Sequence, residues 1–156
     1  MRLSIKQSGF TLLEVLVAVL VLSIGLLGLA GLMASSIRNN QSAYQRTQAT
    51  WLAYDIVDRM RVNRPEALAS NYDTALGTPA NCAANPTLSG SMATQDLTGW
   101  KTLLACALPA VDGAVAFNTA NRQVTVTVQW NDSRGIGTGT GNTGNAAQQF
   151  QIQTQL

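Results

Sequence analysis

Very little of this chain is equipped for chemistry. None of its 156 residues is histidine, which removes imidazole as a general base or metal ligand. The only cysteines are Cys82 and Cys106. They form no Cys-x-x-Cys pair of the kind that marks a thiol–disulfide catalyst. If the chain leaves the cytoplasm, two cysteines favour a disulfide; closing a loop of about 25 residues would stabilise the fold by roughly 3 kcal/mol. No paired carboxylates, Ser/His set or metal cluster stands out, so no catalytic residue, metal or cofactor is expected and the chain does not read as an enzyme. Asn131 and Asp132 offer too few oxygen ligands for a calcium site. The group that demands an explanation is Glu14, the only charge in the 28 residues from Phe10 to Ile37.

That apolar stretch positions Glu14. A helix needs roughly 20 apolar residues to cross a bilayer core, so residues 10–37 suffice. The run exceeds the apolar region of an ordinary secretory signal, about 7–15 residues, and no small-residue cleavage site follows it. A carboxylate near the centre of a membrane helix costs about 2.5–3.5 kcal/mol. Glu14 lies near the start of the run, within reach of the interface in a lone subunit, but packed among apolar helices it would need a partner. Gly25, Gly28 and Gly31 each cost about 1 kcal/mol relative to Ala in a helix. Their spacing of three puts them roughly along one face, where they would let neighbouring helices approach closely or let the stretch loosen. Ahead of the run, Met1–Gly9 is short, polar and basic (Arg2, Lys6), which predicts a cytoplasmic leader and a translocated remainder.

The junction reads Lys6-Gln7-Ser8-Gly9-Phe10-Thr11-Leu12-Leu13-Glu14. It resembles the type III signal of type IV prepilins: a basic leader ending in Gly, then Phe, with Glu four residues after the Phe. The resemblance implies cleavage after Gly9 by a membrane-embedded prepilin peptidase and N-methylation of Phe10. It also implies a partner for Glu14, namely the new N-terminal amine of its own or a neighbouring subunit. A free α-amine has a pKa near 7.7–8.0, so it carries a positive charge to offer. Many major pilins place a proline in this part of the helix; this sequence has none.

Beyond the apolar run the helix is expected to continue to about Asn63. Residues 38–48 are polar, and Ala49, Leu52, Ala53, Ile56, Val57 and Met60 then form an amphipathic stripe, with Arg59, Arg61 and Arg64 near the end and Pro65 as a stop. Such a helix would be roughly 80 Å long. Residues 65–96 read as an irregular loop with one helical turn near 66–70. A short helix is predicted over 97–108, capped by Thr98 and burying Trp100, Leu103, Leu104 and Ala107. Strands are predicted at 114–117, 123–130 and 150–156, with a mobile Gly-rich loop over 135–145 that lacks the Gly-Lys-Ser/Thr ending of a phosphate loop. The expected architecture is α+β: a long N-terminal helix on a small antiparallel sheet. The division is a leader (1–9), a membrane or filament-core half-helix (10–37), an amphipathic spine (38–64) and a head (65–156) holding the Cys82–Cys106 loop.

Leu26–Leu32 and Leu52–Asn63, with the Trp100-to-Pro109 helix and a Val-Thr-Val strand ending in Trp130, are similar to PilV-type minor pilins, also called type IV pilus modification proteins. That resemblance implies an inner-membrane subunit with a periplasmic head. Such a subunit joins other minor pilins and the major pilin, primes assembly on the platform protein, and ends at the pilus tip beside an adhesin, with roles in twitching motility or adhesion. Two rivals share the N-terminal logic. One is a minor pseudopilin of a type II secretion system. The other, a DNA-binding pilin for uptake, is disfavoured: without Arg2 and Lys6 the side-chain charges balance, and past Arg64 the head offers only Lys101, Arg122 and Arg134 to a nucleic acid.

Overall fold

The computed structural model describes residues 9–83, 85–135 and 144–156. All but the last residue of the expected leader (1–9), and residues 136–143 of the expected Gly-rich loop, lie outside the described residues. The elements run α1 (Leu12–Val62), α2 (Arg64–Leu68), α3 (Met92–Ala107), β1 (Asp112–Asn118), β2 (Gln123–Trp130) and β3 (Gln148–Gln155). The chain divides into two compact units after Ile37.

The first unit carries the N-terminal part of α1. Its large apolar side chains are exposed, from Leu29 at 49% to Leu12 at 91%. The helix begins at Leu12, not at Phe10, because Thr11 caps it: Thr11 Oγ1 accepts from the Glu14 amide at 3.2 Å. Thr11-x-x-Glu14 is thus a capping-box sequence, and Glu14 lies in the first turn of the helix, where a negative charge is favoured by the helix dipole.

The second unit is an α+β head with one core. The last turns of α1 contribute Ala49, Ala53, Ile56, Val57 and Met60; α3 contributes Ala93, Trp100 and Leu104; β2 contributes Val124, Val126, Val128 and Trp130. The strict alternation of β2 puts one row inside, as its spacing predicts. The sheet is an antiparallel meander in the order β1-β2-β3, with Val115 opposite Val126 and Ile152 opposite Val126 on the other side. A single bridge from Thr74 to Val115 adds a fragment of a fourth strand.

Three local expectations are corrected. Pro65 does not simply stop a helix: α1 ends at Val62 and Pro65 opens α2, within whose first turn it sits. A missing N–H is harmless in a first turn because that position has no intrahelical acceptor. The cap of α3 is Ser91, whose Oγ accepts from Thr94 N at 3.3 Å, rather than Thr98, whose hydroxyl instead bonds back to Thr94 O. The helix starts earlier than expected because Met92–Asp96 buries only Ala93, too little for a readable stripe. On its far side Leu103, expected inside, is 45% exposed. Strand β1 extends beyond its predicted span at both ends, and β3 begins two residues earlier and ends at Gln155: cross-strand hydrogen bonding reaches polar end residues such as Asp112 and Gln148, which carry no hydrophobic signal.

Candidate functional site

The residues singled out for assembly all lie at or near the start of α1 and along its apolar part. Gly9 and Phe10 precede the helix, and Phe10 is 83% exposed. A Cβ placed on Gly25, Gly28 or Gly31 would meet nothing within 4 Å. No contact inside the described chain therefore requires glycine at these positions. The helix is the one among the described residues that is long and apolar enough to cross a membrane, and its apolar window is wholly unburied. Such a surface needs an apolar surrounding to be stable.

In the head, a polar network joins the end of α1 to α3. Tyr72 is fully buried. Its hydroxyl donates to Asp96 Oδ2 at 2.5 Å and accepts from Asn63 Nδ2 at 3.1 Å. Asp96 Oδ1 faces Arg59 Nη1 at 3.4 Å, and Arg59 Nε reaches Asp55 at 3.0 Å. Burial, then the bond to Asp96, push the Tyr72 phenol up to about 12, since both disfavour the phenolate. Asn63 consequently spends its side chain on Tyr72 and makes no cap for α2. The network braces the end of α1 against α3, with the phenol protonated at neutral pH.

The loop before α3 is held by two devices. Cys82 and Cys106 form the expected disulfide. Asp112 Oδ2 accepts from the amides of Gly77 (2.6 Å) and Thr78 (3.1 Å), while Oδ1 accepts from Gly113 N and pairs with Lys101 at 3.4 Å. Lys101 also donates to the Thr78 carbonyl and hydroxyl. A shallow groove beside the disulfide, lined by Pro79, Cys82, Ala105, Leu108, Val111 and Gln129, presents no free reactive group, because the Asp112 carboxylate is already engaged. Among the described residues no three His, Cys, Asp or Glu side chains converge as metal ligands.

Sequence reasoning missed the buried polar end of the α1 stripe. Ser42 and Gln45 continue the face of Ala49 and Ala53 at helical spacing and are buried. Ser42 Oγ donates to the buried Asp132 carboxylate at 2.5 Å. The periodicity was readable, but a Ser and a Gln give no apolar signal, and the partner lies 90 residues away.

Comparison with known families agrees with this arrangement. The prokaryotic N-terminal methylation motif matches residues 5–30. The family described as Type IV pilin Tt1218 matches residues 31–99. Neither a curated protein nor a solved structure gives a significant match. The two family matches abut and together take in the junction, the whole of α1 and the start of α3. The type IV pilin family is a structural one, its members are processed by prepilin peptidase and assemble with other pilins, and an apolar N-terminal helix is the membrane anchor of such a protein. The chain thus carries the N-terminal methylation motif at the head of its apolar helix and is similar to a type IV pilin family from there to the start of α3.

Proposed function

We propose that this pilin is a minor pilin of the PilV type, which waits in the inner membrane with its head in the periplasm and then joins a minor-pilin complex that primes pilus assembly at the tip. The observation that carries the reading is the uncovered apolar half of α1 behind a methylation motif. Prepilin peptidase cuts after Gly9 and methylates Phe10. Residues 10–37 then insert among neighbouring helices, with Gly25, Gly28 and Gly31 allowing close approach. The Glu14 carboxylate pairs with an N-terminal amine and sets the axial register, since an unpaired charge among apolar helices costs several kcal/mol. The spine and head, residues 38–64 and 65–156, face other pilins, the assembly platform and a tip adhesin. A DNA groove is disfavoured because past Arg64 the head has only Lys101, Arg122 and Arg134, and Lys101 is paired with Asp112.

The test is intact mass and N-terminal sequencing of the protein from its native membrane, with and without prepilin peptidase, together with immunodetection in sheared pili. A chain beginning at N-methylated Phe10 only when the peptidase is present, and recovered in pili, is the expected result. An uncut chain in both strains would remove the processing step. A processed chain absent from pili, whose deletion blocks protein secretion instead, would assign it to the type II machinery.

A further inference from the structure

The two edges of the sheet are treated differently. The outer edge of β1 is covered at its middle: Thr74 exchanges two backbone hydrogen bonds with Val115, both 2.9 Å, and Asp73 Oδ1 accepts from Phe117 N. The outer edge of β3 has no comparable cover among the described residues, where β2 is its sole partner. Yet β3 is eight residues long, fully in register, and contains no charge, proline or glycine. Soluble proteins blunt an open edge with a charge, a proline, a bulge or a covering segment. An edge with none of these is a template for another strand.

The side chains of β3 point the same way. On its inner face Phe150 and Ile152 pack against the core but remain only half-buried. A further strand would complete that burial. On its outer face Gln151 and Gln153 are exposed and uncharged, opposite Thr127 and Thr125 of β2, so an incoming strand meets no charge there; Arg61 and Arg64 reach only Thr154 Oγ1 and the Leu156 carbonyl at the strand's C-terminal end.

Resting on the pilin reading above, we infer that the outer edge of β3 receives an extended segment of a different chain in the pilus assembly as a fourth strand. The segment is uncharged, with apolar residues at alternate positions to lie beside Phe150 and Ile152. Main-chain hydrogen bonds supply affinity in such strand addition, and the alternating side chains supply specificity. A second copy pairing β3 to β3 in antiparallel fashion is isologous and needs a twofold axis. Subunits propagating along a filament contact each other head-to-tail instead, with two different surfaces. The edge is therefore assigned to a different segment.

Hydrogen exchange read by mass spectrometry tests this on the full processed chain, purified alone in detergent micelles and within the complex formed on co-expression with the pilin-type subunits of its own assembly. The β3 amides that point away from β2 should exchange ~10-fold or more slowly in the complex. Equal exchange in both states, with the chain present in the complex, would overturn the edge assignment and leave the pilin reading intact. Failure to enter any such complex would remove the reading and the assignment together. Protection already present in the isolated chain, with a dimer by sedimentation, would give the edge to a second copy and overturn the assignment as stated. The Gln151→Lys/Gln153→Lys double variant, altered only on the exposed face, should keep its melting temperature and lose recovery in the complex ~10-fold or more. Unchanged recovery would count against strand addition.

Discussion

Tyr72 donates to Asp96 Oδ2 at 2.5 Å while Arg59 Nη1 approaches the other oxygen of the same carboxylate at 3.4 Å. One acid on α3 thus ties down both the end of α1 and the segment that follows α2. With its phenol raised to about 12, Tyr72 binds its proton more tightly in the folded than in the unfolded chain, where tyrosine titrates near 10. This contribution to stability is therefore complete below about pH 10 and is lost as pH rises to about 12. Spectrophotometric titration should show a tyrosine ionising near the upper end of that window, and Tyr72→Phe should abolish that component while lowering stability by ~1–3 kcal/mol.

Gly113 is required by packing. A Cβ there would run into the Trp100 ring and come within 2.7 Å of Leu104 Cδ1. Gly113→Ala should destabilise by ~1–3 kcal/mol, measured by denaturant midpoint, because the indole is held in place by its own bond to the Leu52 carbonyl at 2.7 Å.

Reducing the disulfide removes one of the two devices holding the loop before α3. The Cys82→Ser/Cys106→Ser variant should lose roughly 3 kcal/mol of stability and become sensitive to limited proteolysis between Pro79 and Gly90. A variant as resistant and as stable as the parent would show that the Asp112 and Lys101 contacts hold the loop alone.

Glu14→Gln should leave the processed mass unchanged apart from the substitution itself, and the amount in the membrane unaltered, while recovery in sheared pili falls several-fold. The change preserves the polar side chain of the first turn and deletes only the charge that would meet an N-terminal amine. Equal recovery in pili would make Glu14 a capping residue with no part in assembly.

The elements with a clear period are legible in the sequence: the apolar run, the stripe from Ala49 to Met60, and β2 with its alternating valines ending at Trp130. The single pair of cysteines likewise admitted one disulfide. Less legible were the elements whose signal is polar. Ser91 rather than Thr98 caps α3, because a cap depends on where the backbone leaves its helical dihedrals and several hydroxyl residues compete for the role. Pro65 follows the end of α1 at Val62, as expected, but it also sits in the first turn of a second short helix, α2.

By itself the sequence determined the methylation motif, the long apolar helix, the central strand and the likeness to type IV pilins, because each is a local pattern of residue types along the chain. Only the tertiary structure decided the Ser42–Asp132 bond, the Tyr72–Asp96–Arg59 brace and which strand lies at an open edge. These depend on residues 24 to 90 positions apart being brought together, and on strand order; no periodicity within a single segment records either.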